Sequence, residues 1–230
     1  MVRKLQWDSD FFKLSIGRVD VLNLEEWKEC FQDVQTLKAN YDLIYVFSKF
    51  DCEINDKLLP LADIKTIYRK EISHITNVSS SIDSYDAKEP NENLYELALI
   101  SGVYSRFRLD KRFPSKSYER MYGCWIEQST NGKMADKVFV HRSNGVIDGM
   151  ITLKIDDEEG HIGLVAVGED CRGKGIGSLL VQAVEEYLYT NTSIRLLKVV
   201  TQWENIPARH LYEKNGFLID DKINIYHWWL

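Results

Sequence analysis

The stretch Leu164–Tyr187, LVAVGEDCRGKGIGSLLVQAVEEY, decides how the rest of the chain is interpreted. Apolar residues typical of a β-strand lead into a turn with three glycines and two cations, and the turn opens into an amphipathic helix. Glycine lets the backbone approach a ligand closely, and the free N–H groups at a helix start attract phosphate oxygens. The turn from Arg172 to Gly177 therefore predicts a pyrophosphate-binding site.

The chain has the composition of an ordinary folded protein, and its 230 residues suffice for one large domain or two small ones. A net charge of −6 argues against a broad surface for nucleic acid or anionic membranes, so any anionic ligand has to be held by local positive groups. The first residues lack the apolar core of a signal peptide, and no apolar run approaches the ~20 residues needed to cross a bilayer. We expect no nucleic-acid partner, no membrane insertion and a cytoplasmic location.

The cysteines and histidines point to neither disulfide nor metal chemistry. Four cysteines lie far apart with no Cys-x-x-Cys pair, which fits a reducing cytosol. The histidines show no spacing typical of metal ligands. We therefore predict no metal.

Hydrophobic periodicity predicts a mixed α/β fold with a mostly antiparallel sheet flanked by helices. Residues 1–62 are interpreted as a small N-terminal α/β unit that helps to bind the acceptor, and residues 63–230 as the main domain. The main predicted elements are a helix over Glu25–Ala39, a strand over Ile64–Ile72, a helix over Asn205–Lys214 and a closing hairpin of Phe217–Ile219 with Ile223–Trp229. The apolar stretch Tyr226–Leu230 is expected to be an exposed edge that provides a homodimer contact.

The glycine turn has three interpretations besides a specific cofactor site. It could be a tight left-handed turn without a ligand, which glycines alone permit. The residues from Gly168 to Lys174 fit the first seven positions of a P-loop, but Gly175 stands where a hydroxyl would bind magnesium, and the loop carries two carboxylates. A dinucleotide fingerprint fails because its spacing is absent and the surrounding pattern indicates antiparallel hairpins.

Two motifs taken together resemble the GCN5-related N-acetyltransferases (GNAT). The motif Arg172-x-x-Gly175-x-Gly177 is similar to the acetyl-CoA signature of that superfamily. It is followed at the expected distance by the second motif, Asn205-x-x-Ala208-x-x-Leu211-Tyr212-x-x-x-Gly216-Phe217. The resemblance implies the GNAT fold and acetyl-CoA as co-substrate.

Shorter matches resemble the dTDP-fucosamine acetyltransferase branch, which acetylates the 4-amino group of a nucleotide-linked dideoxy sugar. These matches are Trp7-Asp8-Ser9-Asp10-Phe11-Phe12, Ser105-Arg106-Phe107 with Asp110 and Phe113-Pro114, and Tyr226-His227-x-Trp229-Leu230. The resemblance implies a nucleotide-sugar substrate and a role in surface polysaccharide synthesis. Two alternatives stay open, namely acetylation of another amine, such as a protein N-terminus or an antibiotic, and a non-catalytic acyl-CoA sensor.

The residues expected to hold acetyl-CoA come from one strand, the turn and two helices. They are Leu164, Val165, Ala166, Val167, Arg172, Gly173, Lys174, Gly175, Ile176, Gly177, Ser178, Asn205 and Ala208. The resemblance implies that the strand splays open to pair with the pantetheine amides and that one of its N–H groups binds the oxyanion. An ordinary buried strand is the alternative.

Proton transfer and acceptor binding need further side chains. Asn205, Ala208 and Tyr212 share one helix face, and a phenol with an ordinary pKa near 10 is a reasonable acid towards a thiolate, although a core tyrosine is the alternative. Arg106 is a candidate to bind a nucleotide diphosphate, and Phe107, Tyr104 or Trp125 to stack on base or sugar, with core packing as the alternative. The base stays unassigned; the candidates are Glu127, His161, His210 and water.

Overall fold

The structure, a computed structural model, describes residues 2–32, 34–55, 59–73 and 81–230. Its strands are β1 (Arg3–Lys4), β2 (Ile16–Val21), β3 (Leu43–Lys49), β4 (Leu61–Glu71), β5 (Ile82–Ser84), β6 (Lys137–Ser143), β7 (Val146–Ile155), β8 (Glu159–Val167), β9 (Leu196–Gln202) and β10 (Leu218–Trp229). Its helices are α1 (Gln6–Phe12), α2 (Leu24–Gln32), α3 (Val34–Asn40), α4 (Glu92–Ser101), α5 (Arg106–Leu109), α6 (Ser117–Thr130), α7 (Ile176–Asn191) and α8 (Ile206–Lys214).

All these strands lie in one sheet, in the order β1-β2-β3-β10-β4-β9-β8-β7-β6-β5. Among the strand pairs of the described residues, β2–β3 and β8–β9 are parallel and the others are antiparallel. The prediction of a mixed, mostly antiparallel sheet flanked by helices is confirmed. Strands from before and after residue 62 lie side by side in it, since β10 pairs with both β3 and β4. The division of the chain at residue 62 stays a prediction.

Helices cover both faces of the sheet. On one face, α7 and α8 pack on β6–β9 around Leu180 and Leu197, and α2 and α3 pack on β2, β3 and β10. On the other face, α4 and α6 cover β6–β8, while α1 and α5 cover β2, β3 and β10. Helix α6 belongs to both clusters on this face, since Ile126 packs with α4 and Met121 packs with Phe12 of α1. No helix in the described ranges is long and apolar enough to span a bilayer.

The C-terminus differs from the prediction. The expected hairpin is one strand, β10, whose register shifts between Ile219 and Asp221. The expected exposed edge at Tyr226–Leu230 is wrong, because β10 is central and the side chains of Tyr226 and Trp228 are 1% and 3% exposed. Alternating apolar residues here fill the two buried faces of a central strand, and the homodimer itself stays a prediction.

The helix predicted over Glu25–Ala39 is divided into α2 and α3, with residue 33 outside the described ranges. The strand predicted over Ile64–Ile72 is confirmed as β4, which begins three residues earlier. The helix predicted over Asn205–Lys214 is confirmed as α8, with Asn205 as its N-cap.

The contact between α4 and α6 depends on Gly102, where a Cβ would overlap the ring of Tyr122. We expect Gly102→Ala to lower the free energy of unfolding by ~1–3 kcal/mol, because the ring and both helices have to shift. Gly123→Ala on α6 is the matched control: its Cβ would meet nothing closer than the Tyr95 ring at 3.8 Å. The control should be neutral or stabilising by up to ~1 kcal/mol through helix propensity. Urea denaturation measures both, and equal stabilities would contradict the packing argument.

Candidate functional site

Strands β8 and β9 part halfway along their length. Their parallel pairing ends at Ile162 and Val199, although β8 continues to Val167 and β9 to Gln202. Helix α7 follows the free end of β8, and α8 follows the free end of β9. The opening thus lies at the carboxyl ends of two parallel strands, with a helix start beside each.

A β-bulge marks the point of parting. Thr152 of β7 faces both Gly163 and Leu164, and its hydroxyl accepts the N–H of Leu164 at 2.8 Å. A Cβ at Gly163 would lie 2.7 Å from that hydroxyl oxygen, so only glycine allows the close approach. The extra residue also reverses the alternation of side chains, since Ile162 packs on the α7 face and Leu164 on the α4 face.

A cavity of about 300 Å³ fills the opening and reaches both faces of the sheet. Tyr212 belongs to the core on the α7 face, whereas Tyr122 belongs to the core on the opposite face, and both line the cavity. Eight of the predicted site residues line it together: Leu164, Val165, Asn205, Ala208, Tyr212, Arg106, Phe107 and Trp125. The opening therefore joins the predicted donor and acceptor residues in one space.

Helix α8 supplies three of these side chains. Asn205 caps the helix by accepting the N–H of Ala208 on its Oδ1 at 3.2 Å. Tyr212 is 3% exposed and packs against Tyr68, with ring centroids 5.8 Å apart. Its hydroxyl makes no hydrogen bond within the described residues. Burial, with a smaller contribution from Tyr68, raises the pKa of Tyr212 above its ordinary value, so the phenol keeps its proton.

The glycine turn lies outside the cavity, at the exposed start of α7. Gly173 and Gly175 have φ values of +77° and +83°, in the left-handed region that favours glycine. Gly175 is the N-cap of α7, and no side chain in the described part of the chain caps this helix. The N–H groups of the first turn are therefore available to an anion, and the exposed Arg172 and Lys174 add positive charge. These features fit the pyrophosphate of CoA.

The other residues predicted to hold acetyl-CoA lie at the contact between α7 and α8 or along β8. Ile176 is buried in the core, and a Cβ at Gly177 would meet the Leu211 side chain at 3.1 Å. Ser178 accepts a hydrogen bond from Asn215 Nδ2 at 3.0 Å. Ala166 and Val167 continue β8 beyond the cavity lining, where they pair with Met150 and Gly149 of β7.

Arg106 stands at the other end of the cavity, as the first residue of α5. Ser105 caps this short helix through its hydroxyl. The guanidinium lies over the rings of Tyr45 and Phe107, 4.1 Å and 4.4 Å from their centroids. It also donates to Nε2 of His227 at 2.9 Å.

A buried network holds His227. The ring is fully buried and donates from Nδ1 to Asp110 Oδ2 at 2.7 Å, and Trp229 Nε1 donates to the same oxygen at 2.9 Å. Burial lowers the pKa of His227 to about 4 although Asp110 opposes the shift, so the ring is neutral and Nε2 is an acceptor for Arg106. Burial alone would raise the pKa of Asp110, but hydrogen bonds from His227, Arg112 and Trp229 hold it well below its usual range.

Both ring nitrogens of His227 are hydrogen-bonded to protein groups, so neither is available to bind a metal ion. Across residues 2–32, 34–55, 59–73 and 81–230, no cluster of three or more His, Cys, Asp or Glu side chains is arranged to hold a metal ion.

Asp63 of β4 lines the cavity and was not among the predicted site residues. Burial raises the pKa of its carboxyl to about 7, against the lowering effect of the nearby Arg106 guanidinium. Its signal in the sequence is a carboxylate within an alternating β-strand pattern, where aspartate is disfavoured. The three candidate bases named from the sequence do not line the cavity; they are Glu127, which binds the Tyr95 hydroxyl, His161, which binds Asp156, and the exposed His210.

Solved structures share this fold. A GCN5-related N-acetyltransferase from Sphaerobacter thermophilus aligns with a TM-score of 0.60 at 14% identity, over 98% of this chain and 75% of that one. A functionally unknown conserved protein from Staphylococcus epidermidis aligns with a TM-score of 0.58 at 16% identity, over 92% and 82% of the two chains. At these identities the similarity concerns the fold alone.

Two relatives are similar in sequence. The spore coat polysaccharide biosynthesis protein SpsD of Bacillus subtilis is 29% identical over 138 residues, which is 60% of this chain and 47% of that protein. The uncharacterized N-acetyltransferase MJ1530 of Methanocaldococcus jannaschii is 30% identical over 79 residues, 34% of this chain and 51% of that protein. The chain spans about half the length of these curated relatives.

The profile of the acetyltransferase (GNAT) family matches residues 100–217, more than half of the chain. The matched range contains the parting strands, the glycine turn and both helices that begin beside the opening. The chain belongs to the acetyltransferase (GNAT) family.

Proposed function

We propose that this protein transfers the acetyl group of acetyl-CoA to the amino group of a nucleotide-linked amino sugar, a dTDP-4-amino-4,6-dideoxyhexose, for surface polysaccharide synthesis. The observation that carries the proposal is the cavity between β8 and β9, which has Tyr212 on one face of the sheet and Arg106 on the other. Membership of the family supports acetyl transfer, and similarity to a protein named for spore coat polysaccharide biosynthesis supports the pathway.

The donor is bound along β8 and the start of α7. The turn from Arg172 to Ser178 binds the pyrophosphate through backbone N–H groups and two cations. The edge of β8 beyond Ile162, freed from β9, pairs with the pantetheine amides as a further strand would. Bound acetyl-CoA supplies a thioester whose carbonyl oxygen becomes negative when an amine attacks. A backbone N–H of the freed edge stabilises that charge.

Tyr212 protonates the leaving thiolate. Its phenol is buried beside the opening and carries no other hydrogen bond within the described residues, so it is free to point at the departing sulfur. A sensor that only binds acyl-CoA needs no proton donor at this position, which favours an enzyme over a binding module.

The acceptor end of the cavity favours an anionic substrate. Arg106 forms no ion pair within 4 Å among the described residues, because its polar partner is the neutral His227. Lys65 is half-buried near Arg106 and also forms no ion pair within 4 Å among the described residues. Burial, together with the charges of Arg18 and Arg106, lowers the pKa of the Lys65 ammonium. The carboxylates of Asp63, Asp8 and Asp221 offset only part of the repulsion among these cations, and an anion such as a diphosphate bound beside them offsets it further. Phe107 and Trp125 provide flat apolar surfaces for the sugar or base.

An acetyl-transfer assay across a substrate panel tests the proposal. We expect the purified protein to acetylate dTDP-linked 4-amino sugars with a kcat/KM at least ~100-fold above that for the free amino sugar, since one charge-assisted contact contributes ~1.5–3 kcal/mol and the diphosphate offers several. Peptides and aminoglycosides are the comparison arms. Higher activity on a peptide or an antibiotic would show that the proposed acceptor class is wrong. Absence of transfer to every amine would overturn the enzymatic assignment.

Tyr212→Phe tests the proton donor. Removing the hydroxyl should lower kcat by ~10–100-fold with little change in the affinity for acetyl-CoA, because general acid catalysis is lost while the ring still packs. Tyr68→Phe is the matched control: it removes a hydroxyl from the neighbouring ring, and that hydroxyl binds Glu213 instead of lining the cavity. Steady-state kinetics compare the two variants, and similar kcat values in both would remove Tyr212 from this role.

Arg106→Gln tests anion binding at the acceptor end. We expect a ~10–100-fold higher KM for the nucleotide-linked acceptor, with the KM for acetyl-CoA unchanged. Arg108→Gln, on the same short helix, is the control, because Arg108 is exposed and donates to the carbonyl of Val103. An unchanged KM for the acceptor in Arg106→Gln would show that Arg106 does not bind the diphosphate.

A further inference from the structure

Amine acetylation requires a proton acceptor, because an amine in water is largely an ammonium ion and only the neutral form attacks. Four titratable side chains line the cavity, namely Asp63, Arg106, Tyr122 and Tyr212. The arginine stays protonated, and burial raises the pKa of both tyrosines, so these three keep their protons at neutral pH. Asp63 is the group that remains.

Asp63 lies where the opening meets the acceptor end. Its neighbour Ile64 accepts the N–H of Trp203 at 2.9 Å, just beyond the end of β9, and Lys65 pairs with Gln202. Asp63 is therefore at the mouth of the gap and shares the cavity with Gly163–Val165 of the parted strand. No ion pair within 4 Å engages its carboxylate among the described residues, and apart from the Ile64 N–H its oxygens are available to a ligand.

We propose that Asp63 is the general base that deprotonates the acceptor, a role that rests on the proposed acetyl transfer. The ammonium gives one proton to a carboxylate oxygen of Asp63. The amine nitrogen then forms a bond to the thioester carbonyl carbon, the C–S bond breaks, and the thiolate takes the proton of Tyr212. The second proton lost by the nitrogen restores the Tyr212 phenol through water, and Asp63 releases its proton to solvent. The products are an amide, a thiol and one proton.

Burial is the physical reason that an aspartate serves here. It raises the pKa of Asp63 to about 7, since Arg106 of α5, Lys65 of the same strand and the Ile64 N–H only partly offset the loss of hydration. Tyr122 of α6 also faces the carboxyl and is uncharged. An ammonium in the same cavity has its pKa lowered by the same loss of hydration. Transfer of the proton from the ammonium to Asp63 leaves an uncharged amine and an uncharged carboxyl, and loss of hydration favours this uncharged pair.

The test is the pH dependence of Asp63→Asn measured with an acceptor that the wild-type protein acetylates. In the wild type, kcat/KM should rise with pH and level off above about pH 7, where the carboxyl is ionised. In Asp63→Asn, we expect kcat/KM at pH 7 to fall by ~100-fold, with kcat carrying the loss, and to keep rising towards pH 9 as free amine accumulates. Asp63→Glu should restore part of the rate, and the KM for acetyl-CoA should not change.

Folding of the variant is checked by its stability. The raised pKa means that the native state binds the Asp63 proton more tightly than the unfolded chain, so ionisation destabilises the wild type as pH rises through about 4 to 7. Asp63→Asn should therefore melt at or above the wild-type temperature at pH 8. Asp157→Asn is the control, because Asp157 is exposed in the turn between β7 and β8 and absent from the cavity lining.

Three outcomes would overturn this role while leaving acetyl transfer intact. They are an unchanged kcat/KM in Asp63→Asn, a loss confined to the KM of the acceptor, and an unchanged pH profile. A loss confined to KM would make Asp63 a counter-ion for the ammonium. Absence of transfer by the wild-type protein to every amine would instead remove the proposed function itself.

Discussion

The separation of β8 from β9 after Ile162 and Val199 is the constraint on which the site depends. Two parallel strands would normally satisfy each other's backbone groups along their full length, and strands left apart in a protein interior need other partners. Here the bulge at Gly163, locked by the Thr152 hydroxyl, ends the pairing and leaves a polar edge beside a cavity. The free edge of β8 therefore has backbone groups that an extended ligand with amide groups of its own would pair with in the proposed function.

At the acceptor end, Arg106 is held in place without an ion pair within 4 Å among the described residues, although Asp63 and Asp8 act on it from a longer distance. Arg106 is fixed by two aromatic faces and by Nε2 of His227, whose ring is neutral. The negatively charged member of this network is Asp110, which contacts His227 and not Arg106. Asp110 also receives hydrogen bonds from Trp229 and Arg112. A carboxylate in direct contact with Arg106 would have cancelled its charge. An imidazole between them keeps the guanidinium oriented and attractive to an anion.

Local patterns allowed much of this architecture to be predicted. The alternation of apolar residues predicted the mixed sheet, and the strand, glycine turn and helix predicted the start of α7, because each depends on neighbours within a few residues. The bulge was not predictable in the same way, since the alternating run around Gly163 is consistent with an uninterrupted strand. The central position of β10 was missed for a related reason, as a terminal apolar strand fits an edge or an interior equally well. The pairing of His227 with Asp110 joins residues 117 positions apart. The pKa of Asp63 depends on burial in the folded chain and on Arg106 of α5, neither of which a local pattern shows.

Loss of hydration connects the two proposed proton transfers. A buried phenol with a raised pKa would be a poor acid towards a thiolate in water, because the thiolate there is the weaker base. Inside the cavity the thiolate loses hydration as well, and its affinity for a proton rises with that of the phenolate. The proton affinities of the thiolate and the phenolate would therefore rise together. At the other end, burial raises the pKa of Asp63 and would lower the pKa of a bound ammonium, so these two pKa values approach each other. Burial of Asp63 and Tyr212 in one cavity thus favours deprotonation of the acceptor and protonation of the leaving group at the same pH in the proposed scheme.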